Sequence, residues 1–296
     1  MAMHLPRRAT SWRRDKFFVN FRNFFLDKRR QKSVDGLRIA MKTSNHFQVR
    51  GYGWQKDLPD QRDFSYAAPS PKVLPAQVDL RPQCPPVYDQ GQLGSCTANA
   101  IAGAIQFERL KQQLPDFVPS RLFIYYNERV IEHSVASDSG AQLRDGIKSV
   151  AAQGDCPETE WPYVIAKFKV KPAAACYADA VKYKVVSYQR IAQSLAQLKG
   201  CLASGWPFVF GFTVYESFES AAVAKSGHAP LPKSTEAVVG GHAVAAVGYD
   251  DAKQWFIVRN SWGAGWGLKG YFTLPYAYVA AADLASDFWT IRLVQN

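Results

Sequence analysis

The stretch Gln90-Gly-Gln-Leu-Gly-Ser-Cys96 constrains this chain more than any other. Directly behind it Ala98, Ile101, Ala102, Ile105, Phe107 and Leu110 recur at helical spacing, which predicts a mostly buried amphipathic helix over 96–113. Cys96 then sits at the helix N-terminus, where the partial positive charge of the helix favours a thiolate over a thiol. A thiolate there is suited to attack on a carbonyl. Gly91 and Gly94 let the backbone turn in front of the sulfur, and the Gln90 amide can reach the same point as an oxyanion donor. By itself, a cysteine at a helix start is more often structural than catalytic.

Two later blocks change that balance. In the first, Val239 to Tyr249, His242 precedes an apolar run that reads as a buried strand. In the second, Trp255 to Gly267, Asn260 ends another strand and Trp262 follows two residues on. With Cys, His and Asn in this order, the chain resembles the papain family of cysteine peptidases, and within it the bacterial xylellain type. The likeness runs from about Val78 to Tyr271 and is carried by Gln90–Cys96, Gly241–Tyr249 and Asn260–Tyr271.

The resemblance implies an α+β papain-like fold, with a helical lobe (82–187) facing a β-rich, barrel-like lobe (188–296) across a cleft. It implies Cys96 as nucleophile, His242 as proton carrier and Asn260 as the group that orients the imidazole. Trp262 would shield the His–Asn bond from water, and Gln90 with the Cys96 N–H would bind the oxyanion. Gly140, in Asp138-Ser-Gly140, matches a cleft glycine whose backbone pairs with an extended substrate. Gly241, beside His242, is placed on the substrate side as well. Thr97 and Ser139 depart from the family's usual aromatic and glycine. The substrate is then a protein or peptide. An inactive papain-fold binding module and a thiol acyltransferase are the competing readings.

Charge divides the chain. Residues 1–50 hold 13 of the 36 Lys and Arg but 3 of the 25 Asp and Glu, so nearly all of the +11 lies there. An argument for an anionic ligand (nucleotide, phosphate or polyanion) therefore belongs to this arm and not to the body. From Ser11 to Arg30, Phe17, Phe18, Phe21, Phe24 and Phe25 follow helical spacing among basic residues, which predicts a docking helix. Residues 43–75 are punctuated by Pro and Gly and read as extended chain. Residues 1–73 thus form a basic extension before a peptidase domain at 74–296. The usual Glu/Arg/Asn/Ile pattern of the family's inhibitory prosegment is missing. A thiolate peptidase still needs restraint, so the segment around Gly51–Tyr66 is expected over or near the cleft as an intramolecular inhibitor.

No run of about 18 apolar residues suggests a membrane span, and the first residues lack a secretory apolar segment, which makes the cytoplasm the default. Of five cysteines, Cys96 must stay free. Few or no disulfides are expected, with Cys156–Cys176 the pair most open to bridging. Neither the histidines nor the cysteines show metal-ligand spacing, so no metal or cofactor is expected, and the chain is read as a monomer. Further helices are expected at 119–132, 141–153 and 191–202, strands at 185–188, 208–214, 243–249, 255–258, 270–274 and 288–293, and a loop insertion at 216–240.

Overall fold

A computed structural model describes residues 51–63, 65–67 and 73–295. The basic helix expected at 11–30 lies outside them. In chain order the elements are β1 (Trp54–Gln55), β2 (Ser65–Tyr66), β3 (Gln77–Asp79), α1 (Cys96–Lys111), α2 (Arg121–Ile131), β4 (Ala141–Gln142), α3 (Leu143–Gln153), α4 (Ala174–Ala180), β5 (Val185–Ile191), α5 (Leu195–Ala203), β6 (Phe208–Tyr215), α6 (Ala221–Ser226), β7 (Val238–Asp250), β8 (Trp255–Arg259), β9 (Tyr271–Pro275), α7 (Tyr276–Ala280) and β10 (Ala285–Val294).

Every residue of α1 from Cys96 to Arg109 is buried. A helix enclosed on all sides needs small residues, and this one has Ala at 98, 100, 102 and 104 and Gly at 103. Three later helices, α2, α5 and α6, are capped by serine. Ser120 Oγ accepts from Phe123 N at 3.2 Å, Ser194 Oγ from Gln197 N at 3.3 Å and Ser220 Oγ from Val223 N at 3.2 Å. The expected helix from Ile191 is corrected accordingly. Ile191 ends β5, and α5 begins only after the Ser194 cap.

The main sheet runs β2-β5-β10-β6-β7-β8-β9, with β3 added on β7. β2 joins in parallel and β5 through β9 are antiparallel. Among the described residues β9 and β2 do not pair, so the sheet stays open and the barrel-like expectation for the β lobe is corrected. Side chains alternate along each strand and feed two cores. Phe208, Phe210, Phe212, Val244, Ala246 and Phe288 enter one. Val209, Ala243, Ala245, Trp289 and Ile291 enter the other, with Ile101, Leu122 and Ile147 of the helices. The expected 216–240 loop contains α6 and the start of β7, and α4 and α7 were not foreseen.

Residues 51–63, 65 and 66 are built into this body. β1 pairs in parallel with β4, and β2 with β5. A buried ionic cluster holds the segment. Asp57 N donates to Asp287 Oδ2 at 2.8 Å, and Trp289 Nε1 donates to Asp57 Oδ2 at 2.9 Å. Arg144 grips Asp63 through Nε and Nη2 at 2.9 and 2.6 Å, and Arg190 bridges Asp63 and Asp287 at 3.0 and 3.1 Å. Enclosing charges is costly unless they are paired and hydrogen-bonded, and here the pairing is dense.

Several acids remain under strain from burial. Burial pushes Glu108 and Glu132 up to about 7. Burial and then the Asp287 charge push Asp57 up to about 6. Fully enclosed Glu128 and Asp155 are pushed well above the carboxylate range by the same cause. A carboxyl whose folded value exceeds its unfolded value near 4 binds protons preferentially in the folded chain. The cost of burying its charge is absent below about 4 and full above about 7. Stability therefore rises as pH falls from about 7 toward 4.5. Depressed carboxyls such as Asp79, hydrogen-bonded to Arg81, act only below that window. Thermal melts should give a higher Tm at pH 5.5 than at pH 8, and the reverse order would contradict the assignment.

Candidate active site

Cys96 is the first residue of α1, with Ser95 as the capping position, and its side chain is fully buried. The sulfur meets the backbone N–H groups of Ala243, Gly53 and Thr97. Contact with Ala243 puts it beside His242, which faces Phe212 across the β6–β7 ladder. His242 Nε2 lies 2.8 Å from Asn260 Oδ1. Ser261 N donates to the same Oδ1 at 2.8 Å, which identifies that atom as the carbonyl oxygen and leaves the proton on Nε2. The Trp262 ring stacks on His242 with centroids 4.9 Å apart and planes 26° from parallel. Cys96, His242, Asn260 and Trp262 are all 3% exposed or less, so their polar contacts act in a low dielectric.

Gln90 is fully buried, and its amide is held from both ends. Oε1 accepts from Ser261 Oγ at 2.5 Å, while Nε2 donates to Leu93 O at 2.9 Å and to Gly51 O at 3.0 Å. The donor assigned to an oxyanion thus touches a backbone carbonyl of the chain's own N-terminal segment. The same segment continues over the other predicted residues. Gly53 O accepts from Ala141 N at 2.7 Å, directly after Gly140. A side chain at Gly140, whose φ is +72°, would drive into the Gly53 backbone. A Cβ at Gly241 would meet the Trp54 ring at 2.8 Å, and one at Gly240 would meet Tyr52 at 2.8 Å. Burial, foremost, pushes the Cys96 thiol up to about 11, against the lowering expected from its helix-start position.

Three supporting residues escaped the sequence reading. Asp138 accepts from Gly94 N at 3.1 and 3.0 Å and from Tyr125 Oη, bracing the turn before the sulfur. Its motif had been read for Gly140 alone. Tyr163 Oη donates to Gln90 O at 2.9 Å and contacts Ser95 Oγ at 2.5 Å; nothing in its local sequence marks it. Ser261 stands in a block read for Asn260 and Trp262. Thr97 Oγ1, where the family's aromatic was missing, donates to the buried Glu128 at 2.7 Å. Beyond Trp262 lies a cavity of about 500 Å³ lined by Asp89, Lys225, Trp262 and Trp266, with no residue of the 51–66 segment in its lining.

A helix-start thiol, a histidine and an asparagine gathered on an α+β fold place the chain among cysteine-dependent hydrolases. Comparison with known proteins agrees. The sequence pattern described as "Papain family cysteine protease" matches residues 74–288, and the chain belongs to that family, as a papain-like cysteine peptidase. It is 47% identical over 274 residues to an uncharacterized peptidase C1-like protein of Acanthamoeba polyphaga mimivirus, covering 83% of this chain and 88% of that one. Chymopapain of Carica papaya is 28% identical over 223 residues, covering 73% of this chain and 58% of its own. Among solved structures, the cysteine protease xylellain of Xylella fastidiosa superposes with a TM-score of 0.80 at 49% identity, covering 83% of this chain and 97% of that one. Procathepsin L 3 of Tenebrio molitor, at 20% identity and TM-score 0.63, covering 82% and 76%, shares the fold. With relatives in a virus and a bacterium, the similarity does not assign a bacterial source.

The state of the thiol is open to direct measurement. Alkylation of Cys96 in the folded chain by iodoacetamide should be slow at pH 7 and climb toward pH 11. An ordinary thiol profile centred near 8.5 would show that the sulfur is not enclosed.

Proposed function

We propose that the chain hydrolyses peptide bonds through Cys96, His242 and Asn260, and that its own N-terminal segment restrains it. The observation that carries the reading is the His242 Nε2–Asn260 Oδ1 bond under the Trp262 ring. With Nε2–H given to Asn260, the Nδ1 side of the imidazole takes the thiol proton. The resulting thiolate attacks the substrate carbonyl, and the imidazolium then protonates the leaving amine. Water hydrolyses the acyl-enzyme. Gln90 Nε2 and the Cys96 N–H stabilise the oxyanion, and Gly140 and Gly241 leave room for an extended peptide backbone.

Residues 1–73 are the regulatory part and 74–296 the peptidase, a division supported by the family match starting at residue 74. Inhibition is supported by where Gly51–Gln55 lies. It engages the Gln90 amide, packs against Gly140 and Gly241 and encloses the sulfur. A tethered segment acts at high effective concentration, so modest contacts suffice. An anionic ligand on the basic arm concerns residues outside those described.

Cys96→Ala and His242→Ala should fold and lose essentially all peptide turnover, Asn260→Ala should retain a fraction, and Gln90→Ala should lose about a hundredfold in kcat. Turnover by Cys96→Ala near that of the parent would falsify the mechanism. Stoichiometric labelling by an epoxide-type thiol reagent without turnover of any peptide would favour acyl transfer or a binding module.

The restraint has its own test. A Cβ at Gly53 would fall onto the Gly94 carbonyl, backbone against backbone, so Gly53→Ala should unseat the segment. The kcat/KM on a short peptide should rise about tenfold or more, equivalent to about 1.4 kcal/mol of lost seating. Agreement with the parent within about twofold would remove the inhibitor role and leave the catalytic assignment standing.

A further inference from the structure

Cys156, Glu160 and Cys176 lie far from Cys96 in the sequence and had no recognisable ligand spacing. The fold nevertheless brings one sulfur from each cysteine and a carboxylate oxygen within 4.8 Å of one another. Both cysteines are thiols and are nearly enclosed, with Cys156 0% and Cys176 3% exposed, whereas Glu160 is at the surface. The frame around them is firm. Ser120 N donates to Cys156 O at 2.9 Å and Glu158 N to Val118 O at 2.7 Å, tying this segment to the start of α2. Cys176 sits in α4, which is anchored by Tyr177 against Phe123 with ring centroids 4.8 Å apart. A cavity of about 560 Å³ lined by Glu160, Cys176, Asp179 and Lys182 opens onto two of the three.

From this geometry we propose that Cys156, Cys176 and Glu160 bind a zinc-type divalent cation, with a water from the cavity as the fourth ligand. Two thiolates and one carboxylate are a donor set zinc accepts, and a zinc–sulfur bond of about 2.3 Å puts two sulfurs about 3.8 Å apart in a tetrahedral site. The three donor atoms already lie within 4.8 Å of one another. Binding displaces one proton from each thiol to solvent, so the neutral ligand pair becomes a dithiolate as the ion arrives.

The surroundings are negative. Asp155 is buried beside Cys156, and Asp179 lines the same cavity as Glu160. Lys182 is ion-paired with Asp179. A divalent ion would be the largest local charge and would offset this negative surrounding. The clamp joins α4 to the segment that leads to Tyr163, which in turn touches Gln90 and Ser95. The site is therefore structural, at a distance from the chemistry.

The test uses the full chain carrying Cys96→Ser, reduced and stripped of metal with a chelator. Cobalt(II) is the probe. It should bind with one equivalent, give sulfur-to-cobalt charge-transfer absorption with tetrahedral visible bands, and be displaced by zinc. Cys156→Ser and Cys176→Ser should abolish the absorption. Glu160→Gln, at an exposed position that keeps the fold, should weaken binding by more than about tenfold, the least that even outer-shell changes cost. No thiolate–cobalt absorption in the folded, reduced parent overturns the proposal. So does parent-like affinity in Glu160→Gln and Cys176→Ser, which places the metal elsewhere. A mass two hydrogens low with two thiols missing, in chain handled without reductant, and failure to bind cobalt after reduction would instead identify the pair as a disulfide.

Discussion

The contact between α1 and the alanine face of β7 is what the site depends on. Ala98 and Ala102 share a core with Ala243 and Ala245, and none of the four is more than 4% exposed. Side chains this short let the helix approach the strand closely. The first residue of the helix and the residue beside Ala243 are the proposed nucleophile and its histidine. Their separation is thus set by packing of methyl groups, with no flexible loop between them. β8 lies next to β7, and its end delivers Asn260 to His242. Three residues remote in sequence meet because three rigid elements share one ladder and one core.

The N-terminal segment exploits the same surface. It crosses wherever a side chain is missing: over Gly140, Gly240 and Gly241, and with the Trp54 ring against Gly211. Its hold combines two effects of different reach. Close backbone contacts fix where it lies, and the paired cluster of Asp57, Asp63, Arg144, Arg190 and Asp287 fixes it beyond the glycines. Cys96 alone could be screened by any loop. An ionic cluster reached from two residues of the segment and three of the body makes this particular placement specific.

Much of this was legible in the sequence because its signals are local. The α1 periodicity, the strand before Asn260 and the order of Cys, His and Asn each occupy a short window. What escaped is long-range. β1 and β2 are two residues each, too short for any alternation to show. The helix start at Ser194 was overridden because Ile191 fits either period. The barrel-like lobe came with the family resemblance, and strand patterns do not say whether the edges of a sheet meet. Asp138, Tyr163 and the Cys156–Cys176 pair derive their roles from partners 44, 73 and 20 residues away or so, which spacing rules do not cover.

In the proposed mechanism, enclosure of the sulfur links restraint and chemistry. Burial raises the Cys96 thiol to about 11 although the Gly53 backbone acts the other way, so in the proposed restraint the segment favours the protonated form through its share of that burial. By reciprocity, whatever favours the thiolate disfavours seating. At neutral pH the covered thiol keeps its proton and the segment is not opposed. In the proposed release, Gly51 leaves the Gln90 amide and Gly53 the sulfur, which relieves desolvation of the thiol and lets the charge of the α1 N-terminus favour the thiolate. Ionisation with proton transfer to His242 then creates a charged pair that the segment's apolar Trp54 would have to desolvate in order to return. Under the proposed restraint the cover and the ion pair therefore exclude one another, and the energy separating the two states combines burial of the sulfur with the backbone contacts and the ionic cluster that seat the segment.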